Sequence, residues 1–229
     1  MKKIVVLTGA GMSAESGLKT FRDADGLWEG HDVMEVASPQ GWNQDKELVL
    51  DFYNQRRKQL LQVKPNEAHN LLAHLEQDYQ VKIVTQNVDD LHERAGSTQV
   101  LHLHGELFKV RSTVDDGLIY DWKKDLFIGD TCKNGNQLRP HIVWFGEAVP
   151  LLDQAIEITK QADILVIIGT SMQVYPAASL IHYIKPNTPI YFIDPKPNVD
   201  STIKNIKVFA EKASVGVKKL NDILKNMTI

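Results

Sequence analysis

Mainly apolar runs recur along the chain at residues 4–8, 81–85, 100–104, 164–169 and 190–194, each giving way to a small or polar residue. Runs this short, apolar with little alternation, suit strands buried on both faces. Helical patterns separate most of them, among them residues 45–63, 175–184 and a closing helix at 215–225. Strands alternating with helices predict an α/β fold, a Rossmann-like parallel sheet with helices on both faces. Two segments break the alternation. Residues 30–63 are largely helical in pattern, and residues 109–139 are polar, rich in Gly, Asp and Asn, with no periodic core face. Both read as insertions into one domain spanning 1–229. They would form a smaller lobe, leaving about 1–29, 64–108 and 140–229 to the large one.

Bulk composition narrows the partners. At 229 residues the chain can bury a substantial core. Lys and Arg number 26 against 29 Asp and Glu, so a net charge of −3 offers nucleic acid or an acidic membrane no attraction. The single cysteine, Cys132, excludes an intrachain disulfide framework and points to a reducing compartment. The start, Met-Lys-Lys before Ile4, resembles a signal peptide, but its apolar run is too short, and no stretch approaches the roughly 18 apolar residues of a membrane span. A cytoplasmic monomer is expected.

Candidate chemistry gathers where the apolar runs end. After residue 8 the chain reads GAGMSAESG, in which Gly9, Gly11 and Ala14 fit a G-x-G-x-x-G/A dinucleotide turn, with backbone N–H groups and a helix N-terminus for a pyrophosphate. An ordinary strand-to-helix turn fits too. The acid expected roughly 20 residues on is missing. A later unit supplies one: residues 164–168 enter Gly169-Thr170-Ser171, a turn suited to phosphate, and the next run ends in Asp194, placed for ribose hydroxyls or simply to cap a turn. Both ends of the chain therefore point to one cofactor bound between them. Gln86, Asn87 and Asp89 follow residues 81–85, where ligands bind in open α/β sheets; an N-cap by Asp89 or Asp90 is the plainer alternative. His102 and His104 fall on one strand face at period two, and His104, just before Gly105, suits a general base. His102 reads as structural, and a metal held by the pair is a third reading. On the helix at 45–63, Tyr53 and Arg56 point the same way, beside Val49, Phe52, Leu60 and Val63. An Arg fork beside a phenol suits a carboxylate; a rim Arg covering the core is equally compatible.

These pieces resemble the sirtuin family of NAD-dependent protein-lysine deacylases. The matching stretches are GAGMSAESGLKTFRDADGLW, TQNVDDLHERAG, HLHGELFKVR, LRPHIVWFGE and GTSMQVYPAA, in the family's order and across nearly the whole chain. FYNQRR further resembles the class III, bacterial-type branch, whose matching Tyr and Arg are associated with succinyl and malonyl groups. The resemblance implies that His104 is the general base and that NAD is a consumed co-substrate. It places Gly9, Ala10, Gly11, Ser13, Ala14, Phe21, Arg22 and Trp28 in the cofactor loop. Gln86, Asn87 and Asp89 would lie at the ribose and nicotinamide, and Gly169, Thr170, Ser171, Asp194 and Ala213 along the rest of the dinucleotide. Val143, Phe145, Gly146 and Glu147 would offer an extended strand to an acyl-lysine peptide, with Tyr53 and Arg56 reading the acyl group. The implied reaction is displacement of nicotinamide by the acyl oxygen, ending in free lysine and O-acyl-ADP-ribose.

Two positions depart from the family. Sirtuins commonly hold a structural zinc with four cysteines, but the corresponding region here has Ser112, Asp115, Thr131 and Asn134 around Cys132. No metal is expected, and zinc in particular is not. Asp194 stands where Asn is usual, and a carboxylate also accepts from ribose hydroxyls. Mono-ADP-ribosyl transfer to protein and a non-catalytic NAD-sensing module are the rival functions.

Overall fold

The computed structural model describes residues 1–19, 27–28, 30–199 and 203–226. Phe21 and Arg22 lie outside the described residues, as does the side chain of Trp28. From the N-terminus, β1 (Lys3–Thr8) leads through two 3-10 turns (Ala10–Met12 and Ala14–Ser16) to a short hairpin of β2 (Leu27–Trp28) and β3 (His31–Asp32). Then come α1 (Val33–Val36), α2 (Pro39–Gln44), α3 (Lys46–Gln62), α4 (Glu67–His74), β4 (Gln80–Thr85), α5 (Leu91–Arg94), β5 (Val100–His102) and β6 (Gly105–Ser112). The remainder comprises β7 (Ile119–Asp121), β8 (Leu138–Ile142), α6 (Leu152–Lys160), β9 (Ile164–Ile168), β10 (Ile190–Ile193), β11 (Ile206–Phe209) and α7 (Ala213–Asn226).

Six strands form one sheet in the order β11-β10-β9-β1-β4-β5, every pair parallel. This is the doubly covered parallel sheet that the apolar runs predict. Ile4 and Val6 of β1 face Leu72 of α4 and Val217, Leu220 and Leu224 of α7; Val5 and Leu7 face the opposite layer, with Ala155 of α6 and Leu180. Burial on both faces removes any need for alternation. The chain lays β4 and β5 on one side of β1 and β9 to β11 on the other. The order therefore reverses between β1 and β9, and the crevice beyond their C-terminal ends is where open α/β sheets bind ligands.

A second, three-stranded sheet, β7-β6-β8, is antiparallel and packs with α1 to α3 around Val36, Trp42, Phe52, Tyr53, Val110, Leu126, Leu138 and Trp144. Asn54 of α3 holds it from beneath: its amide donates to the Leu126 carbonyl at 3.0 Å while its oxygen accepts from Leu126 N–H at 2.8 Å and from Arg57 at 2.7 Å.

Two expectations need correction. The run at 100–104 stops as a strand at His102, and Leu103 and His104 form a turn, so the two histidines do not share a strand face. Gly105 (φ 83) makes that turn, since a Cβ there would collide with the His141 carbonyl. The helical pattern at 175–184 is realised as a 3-10 helix over Ala177–Tyr183. Among the described residues, no helix is long and apolar enough to cross a membrane.

Candidate active site

The loops leaving β1 and β9 meet at the reversal. Gly9 N–H donates to the Ile168 carbonyl at 3.0 Å and Gly11 N–H to the Gly169 carbonyl at 2.8 Å. These two amides are used inside the fold, which corrects the expectation that they stand bare for a phosphate. The helix expected after them is replaced by the two 3-10 turns. What the glycines provide is closeness: a Cβ on Gly11 would lie 2.6 Å from Gly169 Cα, and one on Gly169 (φ 62) would strike the Gly11–Met12 backbone. The floor is thus bare backbone, which suits the close approach of a dinucleotide. Thr170 Oγ1 accepts from Gln86 Nε2 and from Met172 N–H, both at 3.2 Å, tying this floor to the loop after β4.

That loop carries the polar centre. Asn87 Nδ2 donates to Ser13 Oγ at 3.1 Å, and Ser13 Oγ donates to Asp89 Oδ2 at 2.9 Å. Asp89 Oδ1 accepts from Leu91 N–H at 3.2 Å, so the same carboxylate also caps α5, while Asp90 makes no side-chain cap. Burial pushes the Asp89 carboxyl up and Ser13 pulls it down. Beneath lie residues that sequence reasoning missed. Thr8 and Thr85 end neighbouring strands in register, their hydroxyls 2.8 Å apart, with His92 Nε2 3.1 Å from Thr8 Oγ1. Two threonines closing adjacent apolar runs were the available signal.

His104 adjoins the loop after β4. Its Nδ1 lies 3.1 Å from the Gln86 carbonyl, which can only accept, so Nδ1 carries the hydrogen and the neutral ring leaves Nε2 bare. Burial lowers its pKa from the ordinary histidine value, partly opposed by that carbonyl, and so favours the neutral base. His102 sits 3.1 Å from the Asn87 carbonyl and 2.7 Å from Glu93. Among the described residues, no group of three or more His, Cys, Asp or Glu is placed to hold a metal.

The Sir2 family model matches residues 9–176. This chain belongs to the Sir2 family. It is 60% identical over 227 residues to an NAD-dependent protein deacylase of Helicobacter pylori, covering 99% of this chain and 98% of that one. It is 54% identical over 230 residues to one of Bacteroides thetaiotaomicron, covering 98% of each. Among solved structures, a Sir2 homologue mutant in complex with ADP-ribose matches with a TM-score of 0.90 at 39% identity, over 100% of this chain and 94% of that one. A Sir2 homologue in complex with NAD matches with a TM-score of 0.88 at 39% identity, over 99% and 90%.

Other candidate positions of this Sir2 chain form a second knot. Tyr53 is fully buried, and its hydroxyl accepts from the Trp144 indole at 3.0 Å; burial lifts its pKa well above the usual phenol range. Arg56 is half-buried, its guanidinium 5.9 Å from the Phe52 ring. Residues 143–147, expected as an extended strand, form a turn instead. Glu147 Oε2 accepts from Trp144 N–H at 2.8 Å while Glu147 N–H donates back to the Trp144 carbonyl at 3.0 Å. Val143 N–H is taken by the His104 carbonyl and Phe145 N–H by the Ala37 carbonyl. Glu147 also pairs with Arg139 at 2.7 Å and Arg111 at 3.4 Å, and Arg139 stacks 3.3 Å over Trp144. Phe145 is 41% exposed, and the space around Gly146 is open.

At the far end Asp194 is buried after β10, with Oδ1 accepting from Lys196 N–H at 2.8 Å, and Ala213 is buried at the start of α7. The neighbouring Ser214 donates from N–H and hydroxyl to the two oxygens of Glu15, at 2.9 and 2.8 Å, closing the loop after β1 onto α7. The residues at the family's zinc position do not fit the metal. The lone thiol, Cys132, is buried and donates to Ser112 Oγ at 3.5 Å, and that hydroxyl also accepts from Val114 and Asp115 N–H.

Proposed function

We propose that this chain is an NAD-dependent protein deacylase that frees acylated lysine side chains, with His104 as its general base. The single observation that carries the reading is His104 itself: a ring kept neutral by burial, with its tautomer set by the Gln86 carbonyl, at the edge of a backbone-floored crevice. Bound there, NAD would supply an anomeric carbon that exchanges nicotinamide for the acyl oxygen. Nε2 of His104 takes up the proton that must leave a ribose hydroxyl. Ser13, Asn87 and Asp89 orient the nicotinamide end, with Gln86 beside them. Gly9, Ala10, Gly11 and Ala14 line the pyrophosphate with Gly169, Thr170 and Ser171, and Asp194 and Ala213 receive the adenosine. Phe21, Arg22 and Trp28 belong to the same loop.

Arg56 reads acidic acyl chains. Because the Tyr53 hydroxyl already accepts from Trp144, Tyr53 fixes the wall while Arg56 supplies the charge. The peptide lies along residues 143–147, with Phe145 and Gly146 at the surface. The lobe formed by 30–63 and 109–139 folds without zinc, and the protein acts as a cytoplasmic monomer with no nucleic-acid or membrane partner.

The test compares acetyl- and succinyl-lysine versions of one peptide, with NAD, on wild type, His104→Ala and Arg56→Met. Wild type should release nicotinamide and free lysine from both. His104→Ala should lose about 10²-fold or more, and Arg56→Met should lose only the preference for succinyl. A fully active His104→Ala enzyme, or ADP-ribose transferred to protein without deacylation, would sink the reading.

A further inference from the structure

We propose that His102 is a positioning residue of this site, held as an imidazolium that clamps the Asn87 carbonyl and so fixes the loop bearing Gln86, Asn87 and Asp89. His102 closes β5 in register with Thr85, the last residue of β4, which places its ring beside the loop that leaves β4. The ring is only 8% exposed. Nδ1 lies 3.1 Å from the Asn87 carbonyl and Nε2 2.7 Å from Glu93 Oε1. Neither a carbonyl nor a carboxylate has a hydrogen to give. A neutral imidazole has one N–H, so it would set a bare nitrogen against a bare oxygen in one of the two contacts. Only the cation satisfies both, and the Glu93 contact then becomes a charge-assisted hydrogen bond.

The charged surroundings agree. Glu93 on α5, Glu106 on β6 and Asp89 after β4 all favour a positive ring; burial opposes it, and His92 on α5 is held neutral by its own burial. Lys109 pairs with Glu106 at 2.7 Å and weakens its share, which leaves Glu93 as the principal counterion.

The clamp reaches the chemistry through Asn87. Its carbonyl is held by His102, its N–H donates to Thr85 Oγ1 at 3.0 Å, and its amide nitrogen donates to Ser13, which in turn holds Asp89. The preceding carbonyl, of Gln86, is held by His104. Two histidines therefore grip consecutive carbonyls, and only the one at the crevice is free to exchange a proton. Loss of the His102 proton breaks one of its two contacts and loosens the loop.

This inference rests on the deacylase reading, so its test has two arms. In the unliganded protein, ring 15N NMR should show His102 with both nitrogens protonated at pH 7.5. Glu93→Gln should lower its pKa by about one unit or more. In steady-state kinetics, His102→Gln should lower kcat/KM for NAD about tenfold or more while moving KM for the acyl peptide less than about twofold. Its alkaline limb should vanish, and that of Glu93→Gln should move to lower pH, with the acid limb, set by His104, unchanged in both. A neutral His102 ring at pH 7, an unmoved alkaline limb, or wild-type kcat/KM in His102→Gln overturns the inference. If His102→Gln does not fold, Glu93→Gln carries both arms. Wild-type protein inert toward every acyl peptide would sink the deacylase reading instead, and the NMR arm would still decide the state of His102.

Discussion

Acid should attack this fold first at His69. The residue is wholly buried on α4, and its Nδ1 accepts from Asn66 N–H at 3.3 Å, one half of a capping box. Asn66 in turn donates to the Met12 carbonyl at 2.8 Å, so the cap also braces the loop after β1. Protonating Nδ1 would set a hydrogen against a hydrogen. The ring lies 4.8 Å from the His92 ring, and among the described residues Nε2 has no hydrogen-bond partner, so only the more distant Glu93 favours a charge. Burial accordingly lowers the pKa from 6.5 to about 4. Because the folded value is depressed, the unfolded chain binds the proton first. Stability is unaffected above about pH 6.5 and is lost as pH falls from there to about 4. A shift of about 2.5 units at about 1.36 kcal/mol each amounts to roughly 3 kcal/mol, a large share of a typical domain's ~5–15 kcal/mol. His92 is lowered in the same direction, so the contribution of His69 must be isolated by a variant. His69→Gln retains a capping-box acceptor but cannot titrate. Urea unfolding at pH 7.5 and 4.5 should show wild type losing roughly 2–3 kcal/mol more than the variant between the two conditions. Equal losses would refute the argument.

Three further outcomes follow from the packing. Asn54→Ala removes three buried hydrogen bonds that tie α3 to Leu126 and Arg57; chemical denaturation should show a loss of about 2–4 kcal/mol, and a change below about 0.5 kcal/mol would contradict the clamp. Gly11→Ala forces apart the loops after β1 and β9; calorimetric NAD affinity should fall about tenfold or more with far-UV circular dichroism unchanged, and an unaltered Kd would show that the loops tolerate separation. Elemental analysis should find no stoichiometric zinc, and a chelator should leave the unfolding midpoint unmoved; a chelator-induced drop would mean that the small sheet depends on metal after all.

What could be read from the sequence depended on how each residue is buried. β1, β4, β9 and β10 were visible as apolar runs because both their faces are covered, and Asp194 and Gly169 because they end such runs. β11 was not visible: Lys207 and Val208 are exposed, so its pattern lacks a core face. The segment 109–139 hides its core among polar turns, since Val110, Leu126, Cys132 and Leu138 share no period yet pack together. The extended strand expected at 143–147 failed for a local reason, a Glu147 carboxylate folding back onto Trp144 N–H. The Ser13–Asn87–Asp89 chain joins residues 74 and 76 positions apart, and the Tyr53–Trp144 bond spans 91. No spacing rule reaches that far. The resemblance to sirtuins named candidates for the crevice, but not which partner each one holds.

The place of β1 at the middle of the sheet bears on how the protein is made. β1 pairs with β4 and with β9, and its C-terminal loop is fastened to α7 through Glu15 and Ser214, 199 residues later. A nascent chain must therefore carry this apolar strand half-paired until β9 has been made. The loop after β1 is fastened onto α7 only once that helix has emerged. Shortened products that stop before α7 should be inert and prone to aggregation rather than partly active, and this enzyme should depend on holding chaperones more than a fold assembled from neighbouring hairpins does.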